Sequence, residues 1–447
     1  MKNLTSGNIR RQLLELAVPL IIGNILQQLY NTVDALVVGR FIGAEAFAAI
    51  GVAGTVMNLF IFVIVGGCVG AGIIWAQYYG SNDLEGFRRE GVAALGVGCG
   101  FTLAISAAGI ATSGWLLGLI DTPLSIIGMV QEYLEIIFAG LLATFLYNYC
   151  STMLRAVGDT AMALVFLAVA IVINLLLDVI FIAVLDWGIS GAAVATVLAQ
   201  GLGTAMCYVY MRRRTPQLLF RRSDLMLDRA LLWRTCRYSV VAAMHNSNLY
   251  IGKLLVQGAV NGSGVDMVAA YTATSRLEGF ANSFGDSGTA ALNIFIAQNV
   301  GGGQKQRVRR GFFTGLVMLL TLGAASSLLM YAGAAAGVGF MLGDSASAEA
   351  LKQGTVYMHI ISCFYILCFT GNALVGYFEG NGRLVIPIIG ATGHIALRVV
   401  LSYMYVGEAG LIAVAYATGI GWLGVVCFWS WLCYKQMSSE KLQAAGN

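Results

Sequence analysis

Ile171–Ile182, IVINLLLDVIFI, is an almost unbroken apolar run that carries an amide at Asn174 and a carboxylate at Asp178. Four residues apart, the two lie on one face of a helix. A carboxylate inside a membrane-spanning segment costs about 2.5–3.5 kcal/mol on insertion scales, so it faces a cavity or a partner and marks a functional position. A lone Asp could equally be spent on a hydrogen bond to a neighbouring helix, but a second acidic helix shifts the balance. Asn24, Gln27, Asn31 and Asp34 recur at three- and four-residue spacing along one stripe of the apolar segment near the chain start. Two helices therefore each present an Asn and an Asp inward, with Gln27, Tyr30, Asn31 and Asn148 as further candidates to line the same interior.

The rest of the chain has the same character. Of 447 residues, 58% are hydrophobic and only 11% charged, whereas soluble domains carry roughly a quarter charged residues. The apolar runs are about twenty residues or longer, the length that crosses a bilayer as helix, and lack the short alternation of barrel strands. This is an all-α integral membrane protein, rich in glycine (56) and poor in proline (4), a balance that suits helices approaching through small residues. Twelve spans are expected, at 13–38, 47–78, 91–119, 125–154, 161–185, 189–211, 233–257, 267–299, 311–341, 353–378, 384–406 and 409–434.

Charge sets the orientation. On one side of the spans the connections carry two basic residues, Arg40 and Lys352, while the termini and the connections on the other side hold 21 of the 26 Lys and Arg. The positive-inside rule places both termini in the cytoplasm of a cell (inner) membrane. The Arg-rich segment 212–237 reads as topology and not as a nucleic-acid patch.

That segment also divides the chain into an N-terminal six-helix lobe (1–215), a cytoplasmic linker (216–232) and a C-terminal six-helix lobe with a short tail (233–447). The lobes repeat. Ala76-Gln77-Tyr78-Tyr79-Gly80 with Arg88-Arg89 returns as Ala297-Gln298-Asn299-Val300-Gly301 with Arg309-Arg310, at a constant offset of 221 residues. Gly158 answers to Gly382, and Gly188-x-x-Gly191 to Gly407-x-x-Gly410. Six spans per repeat give both the same orientation, an arrangement used by transporters whose halves are related by an axis along the membrane normal.

No phosphate-binding loop of the GxxxxGK[ST] kind is present, and no soluble domain could house an enzyme site. His245, His359 and His394 are scattered, so no metal is expected; the nine cysteines form no CxxC pair and read as small hydrophobes. No cofactor is called for, and transport has to draw on a gradient.

The chain resembles the multidrug and toxic compound extrusion (MATE) transporters over nearly its whole length, in AVPLIIGNILQQLYNTVDALVVGRFIG at 17–43, AQYYG at 76–80, LRAVGDT at 154–160 and NLLLDVIFI at 174–182. The resemblance implies twelve helices in two pseudo-symmetric lobes around a central cavity, and export of hydrophobic organic cations in exchange for H⁺ or Na⁺. It is similar to the DinF-like branch, which implies a cation-coupling site at Asp34, Asn174 and Asp178. It departs from the NorM-like branch, because the seventh span carries Lys253 and no acid. By glycine register Lys253 stands where Asp34 does, and Arg398 and Ser402 where Asn174 and Asp178 do. Lys253 and Arg398 are expected to pair with Glu278 or Asp286 of the eighth span, or else to contact substrate. The alternative function is a flippase for a lipid-linked cell-envelope precursor, whose anionic headgroup would suit a basic lobe; a channel or scaffold suits the inward acids less. The partners implied are a small-molecule substrate, the coupling ion and the bilayer, with the protein a monomer.

The topology has a direct test. In a cysteine-free background, Arg222→Cys should resist an impermeant thiol reagent in intact cells while Asp186→Cys is labelled; the opposite pattern inverts the orientation.

Overall fold

The structure, a computed structural model, describes residues 2–119, 122–225, 228–343 and 347–445. Hydrocarbon offers backbone N–H and C=O groups no partner but each other, so a spanning chain satisfies them within helices or closed barrels. The described residues are helical throughout, without a strand. In chain order they form α1 (Ile9–Phe41), α2 (Ala44–Gly80), α3 (Leu84–Leu119), α4 (Ile127–Ala139), α5 (Leu141–Ala156), α6 (Thr160–Asp178), α7 (Gly188–Arg214), α8 (Arg229–Asn261), α9 (Val265–Gly301), α10 (Lys305–Ala332), α11 (Ala334–Leu342), α12 (Ala348–Gly380), α13 (Val385–Ala409) and α14 (Leu411–Ala445).

Each expected span is helical, with four differences. The ninth span is divided at Gly333 into α10 and α11. The fourth is broken into α4 and α5, bent by 49°. The break is at Gly140, where a Cβ would lie 2.1 Å from Val197 Cγ2, so only glycine lets α7 come this close. The fifth span continues beyond α6 as a π-helical segment, Val179–Val184. The seventh and eighth, α8 and α9, are 33 and 37 residues long. They are absent from the nine helices that, among the described residues, are apolar enough to cross a membrane singly, because they carry His245, Asn246, Asn248, Lys253, Arg276, Glu278 and Asp286.

The chain forms two compact units: Met1–Ser6, Val18–Ser247 and Gly301–Gly303 make the first, and Gly7–Ala17, Asn248–Val300 and Gln304–Asn447 the second. The units divide inside α8, and not at the 216–232 segment that the sequence marks as linker. Close packing explains the difference. A Cβ at Gly66 would lie 2.6 Å from Ala243 Cα, and one at Gly70 2.4 Å from the Tyr238 carbonyl oxygen, so α2 and the first half of α8 meet backbone to backbone. Arg234 donates to Gln77 Oε1 at 2.7 Å, and Thr235 Oγ1 to the buried Glu90 Oε2 at 2.9 Å. The linker is itself tied down: Asp224 accepts from Arg88 Nε at 2.9 Å and from the Arg221 N–H at 2.7 Å. Burial opposes the Asp224 charge, but these hydrogen bonds prevail and hold its carboxyl below the usual range.

The second unit repeats the device. Arg307 of α10 donates to the Gly7 carbonyl and to Gln12 Oε1, each at 2.8 Å, and to Asn299 Oδ1 at 3.1 Å. Thus α3 secures the segment ahead of α8, and α10 secures the segment ahead of α1. Within this unit Gly380 of α12 lies against α9, where a Cβ would be 2.8 Å from the Asn293 carbonyl, and Asn293 Nδ2 donates to the buried Glu379 at 2.9 Å.

The α2–α8 crossing should not tolerate a branched side chain. Gly70→Val should lower stability by about 1–3 kcal/mol, the usual cost of overpacking, and show as a lower melting temperature of the purified protein in detergent. Gly96→Val, whose Cβ would meet nothing within 4 Å, should leave melting unchanged.

Candidate functional site

In the first unit α1 carries Tyr30 and Asp34 one turn apart, and α6 does the same with Asn174 and Asp178. The polar ends converge: Asp34 is 8% exposed, Asn174 2% and Asp178 0%. The Asp34 and Asp178 carboxyls lie close enough to interact. Ionised carboxylates only accept, so a hydrogen bond between the two needs a proton on one of them. With its amide oriented to satisfy both ends, Asn174 Nδ2 donates to Asp178 Oδ2 at 3.2 Å and to Tyr30 Oη at 2.6 Å, while Oδ1 accepts from the Thr196 N–H at 3.1 Å. Asp34 Oδ1 and Asp178 Oδ1 receive no N–H or O–H from the described residues.

Two members of the cluster were not among the sequence candidates. They are Thr196 of α7, whose N–H reaches the Asn174 amide oxygen, and Tyr133 of α4, which lies in electrostatic reach of Asp34 and Asp178. A Tyr and a Thr in apolar helices carry no spacing signal, and only the approach of four helices reveals them. Asp178 is also the last α-helical residue of α6, directly before the π-helical segment. There the Leu185 N–H bonds the Ile180 carbonyl, five residues back, and such wide turns recur at functional sites.

The remaining candidates have other employment. Gln27 Nε2 donates to Asn31 Oδ1 at 3.3 Å on an exposed part of α1. Asn148 Nδ2 is spent on the Thr144 carbonyl of its own helix, at 2.9 Å. In the second unit Glu278, 9% exposed, accepts from Tyr357 Oη at 2.7 Å and Tyr365 Oη at 3.4 Å. Arg398 Nη2 donates to Tyr271 Oη at 3.3 Å. Tyrosine hydroxyls, not the expected Lys253 or Arg398, are the hydrogen-bond partners of Glu278. Arg398 lies in electrostatic reach of Glu278 without a direct hydrogen bond to it. Lys253 and Asp286 are exposed.

The MatE family profile matches residues 19–180 and 242–404, once in each half. The chain belongs to the MatE family. Its members are transporters, and nothing in it calls for an enzyme. It is 31% identical over 306 residues to "Probable multidrug resistance protein YpnP" of Bacillus subtilis (strain 168), covering 68% of each chain. It is 29% identical over 323 residues to "Probable multidrug resistance protein YoeA" of the same organism, covering 70% of this chain and 69% of that one. Among solved structures it superimposes on an outward-facing multidrug resistance MATE family transporter of the MOP superfamily with a TM-score of 0.91, at 20% identity and over 98% of each chain. That likeness supports the MATE fold. These relatives give the flippase alternative no support.

The contrast between Glu278 and Lys253 predicts unequal effects in this MatE chain. Tyr357→Phe strands a buried carboxylate and should cost about 1–3 kcal/mol, whereas Lys253→Met should change stability by less than about 0.5 kcal/mol. Thermal unfolding of both variants checks this; a comparable loss in Lys253→Met would place the ammonium in the Glu278 network.

Proposed function

We propose that the protein is a secondary active multidrug exporter that moves hydrophobic organic cations out of the cell in exchange for protons carried on the Asp34–Asp178 pair. The observation that supports this reading is the placement of two buried carboxyls close enough to interact, where like charges favour a proton on one of them. Losing that proton leaves two like charges side by side in a low dielectric, so the pair has either to regain a proton or to take up a cation. That alternation is what an exchanger requires. The names of the relatives, multidrug resistance proteins, support the substrate class.

Protons are favoured over Na⁺ by the Asn174 amide. Its oxygen is turned to the Thr196 N–H and its nitrogen to Asp178 and Tyr30, so it acts as a donor that orients the acid and not as a neutral oxygen ligand for a metal ion. Placement of the coupling acids in the N-terminal half matches the DinF-like pattern. The protein works as a monomer in the cell membrane with both termini cytoplasmic, in keeping with its distribution of basic residues.

Asp34→Asn and Asp178→Asn keep the shape of the pair and remove its titrating charge. Each should abolish efflux driven by a proton gradient in proteoliposomes and suppress proton release when substrate is added to purified protein, while folding is retained. Full gradient dependence in both variants, with its loss in Glu278→Gln, would move coupling to the second unit. Efflux driven by a sodium gradient alone would overturn the choice of ion.

A further inference from the structure

The LRAVGDT stretch at 154–160 is only partly used by the fold. Gly158 supplies a turn with φ +75°. Asp159 caps α6 by accepting the Met162 N–H at 3.4 Å and takes a hydrogen bond from Tyr210 Oη at 2.9 Å. Arg155, in the last turn of α5, has no such partner. Its Nε is buried without an acceptor among the described residues, and the same holds for Tyr147 Oη and Ser151 Oγ. Residues 147, 151 and 155 are spaced one turn apart on one face of α5. Helical side chains lean toward the N-terminus, which carries the guanidinium toward Ser151 and Tyr147 and away from the helix end.

The surroundings are enclosed and devoid of negative charge. Tyr147 is 6% exposed, Ser151 2%, Cys68 of α2 4% and Cys207 of α7 0%. The Tyr147 ring lies against α7, 2.8 Å from where a Cβ on Gly203 would be. The ionisable groups in electrostatic reach of Arg155 are Tyr147, Cys207 and Cys68, with no carboxylate among them. Arg155 as a residue is half-buried, with its Nε enclosed; a guanidinium stays charged, and the buried part of that charge is costly without a partner. The negative end of α5 offsets part of that cost, but none of the described carbonyls accepts a hydrogen bond from Arg155. A cation and two hydroxyl donors without an acceptor are complementary to an anion.

We infer that Arg155, Ser151 and Tyr147, walled by Cys68 and Cys207, form a binding site for a small monovalent anion of the chloride type. The site is distinct from the acid pair: along α7, Cys207 lies about 16 Å from Thr196 at ~1.5 Å per residue. It does not rest on the proposed proton coupling.

The test uses the full-length protein in detergent, with chloride replaced by gluconate at constant ionic strength. Melting temperature should rise with chloride or bromide and saturate. Tyr147→Phe and Ser151→Ala, both conservative, should each raise the half-saturating concentration by about tenfold, as expected for one lost hydrogen bond to a charged group. Arg155→Gln should remove the dependence. Bromide soaked into crystals should give an anomalous peak beside Arg155. Equal melting in gluconate and chloride, a response to phosphate or to anionic lipid alone, an undiminished response in Tyr147→Phe and Ser151→Ala, or a bromide peak elsewhere would each overturn the assignment.

Discussion

A carboxyl group inside a bilayer-spanning bundle persists only where its charge is removed or shared, and the contact between Asp34 and Asp178 is built on that constraint. A proton on one of them would remove one charge, and Asn174 Nδ2 donates to Asp178 at 3.2 Å. Satisfying the amide in turn draws in Thr196 and Tyr30, and Tyr133 lies in electrostatic reach of both acids. Side chains of α1, α4, α6 and α7 thereby meet at one point. The bend at Gly140 and the glycine-lined crossings bring the helices close enough for these short side chains to touch.

The second unit answers the same constraint with different chemistry. Glu278 is held by the phenols of Tyr357 and Tyr365, while the guanidinium of Arg398 rests on the phenol of Tyr271. Tyrosine takes the place that a second acid holds in the first unit. A phenol titrates far above neutral pH in its ordinary state, so this network holds a charge in position but is poorly suited to passing protons on and off. The repeated architecture thus houses a pair of buried acids in one unit and a single acid held by phenols in the other.

Much of this is legible in the sequence because hydrocarbon penalises polar residues so heavily that each one left in an apolar run is informative. Asp34, Asn174 and Asp178 stand out for that reason, as do Glu278 and Arg398. The pattern is silent where the penalty is small. Tyr133 and Thr196 are unexceptional in a span, and Asn148 and Asn31, which look equally significant, turn to a helix carbonyl and to Gln27. Charge counts mislead in a different way. Arg155 contributes to the cytoplasmic tally of basic residues, yet its Nε is buried. The 216–232 segment reads as a linker from composition, whereas the packing of Gly66 and Gly70 against α8 moves the division of the units to Ser247.

The π-helical segment after Asp178 also preserves a trace of ancestry. Asn174 and Asp178 keep one register with Arg398 and Ser402 of the second repeat, and the turns that follow are marked by Gly188 and Gly410, with φ of +59° and +58°. Between Asp178 and Gly188 there are ten steps along the chain; between Ser402 and Gly410 there are eight. The surplus falls where Val179–Val184 widens the helix, while α13 runs as an uninterrupted α-helix to Ala409. After a duplication, one copy either gained residues beside its acid or the other lost them. The two halves of this transporter diverged in length at the position where they diverged in chemistry.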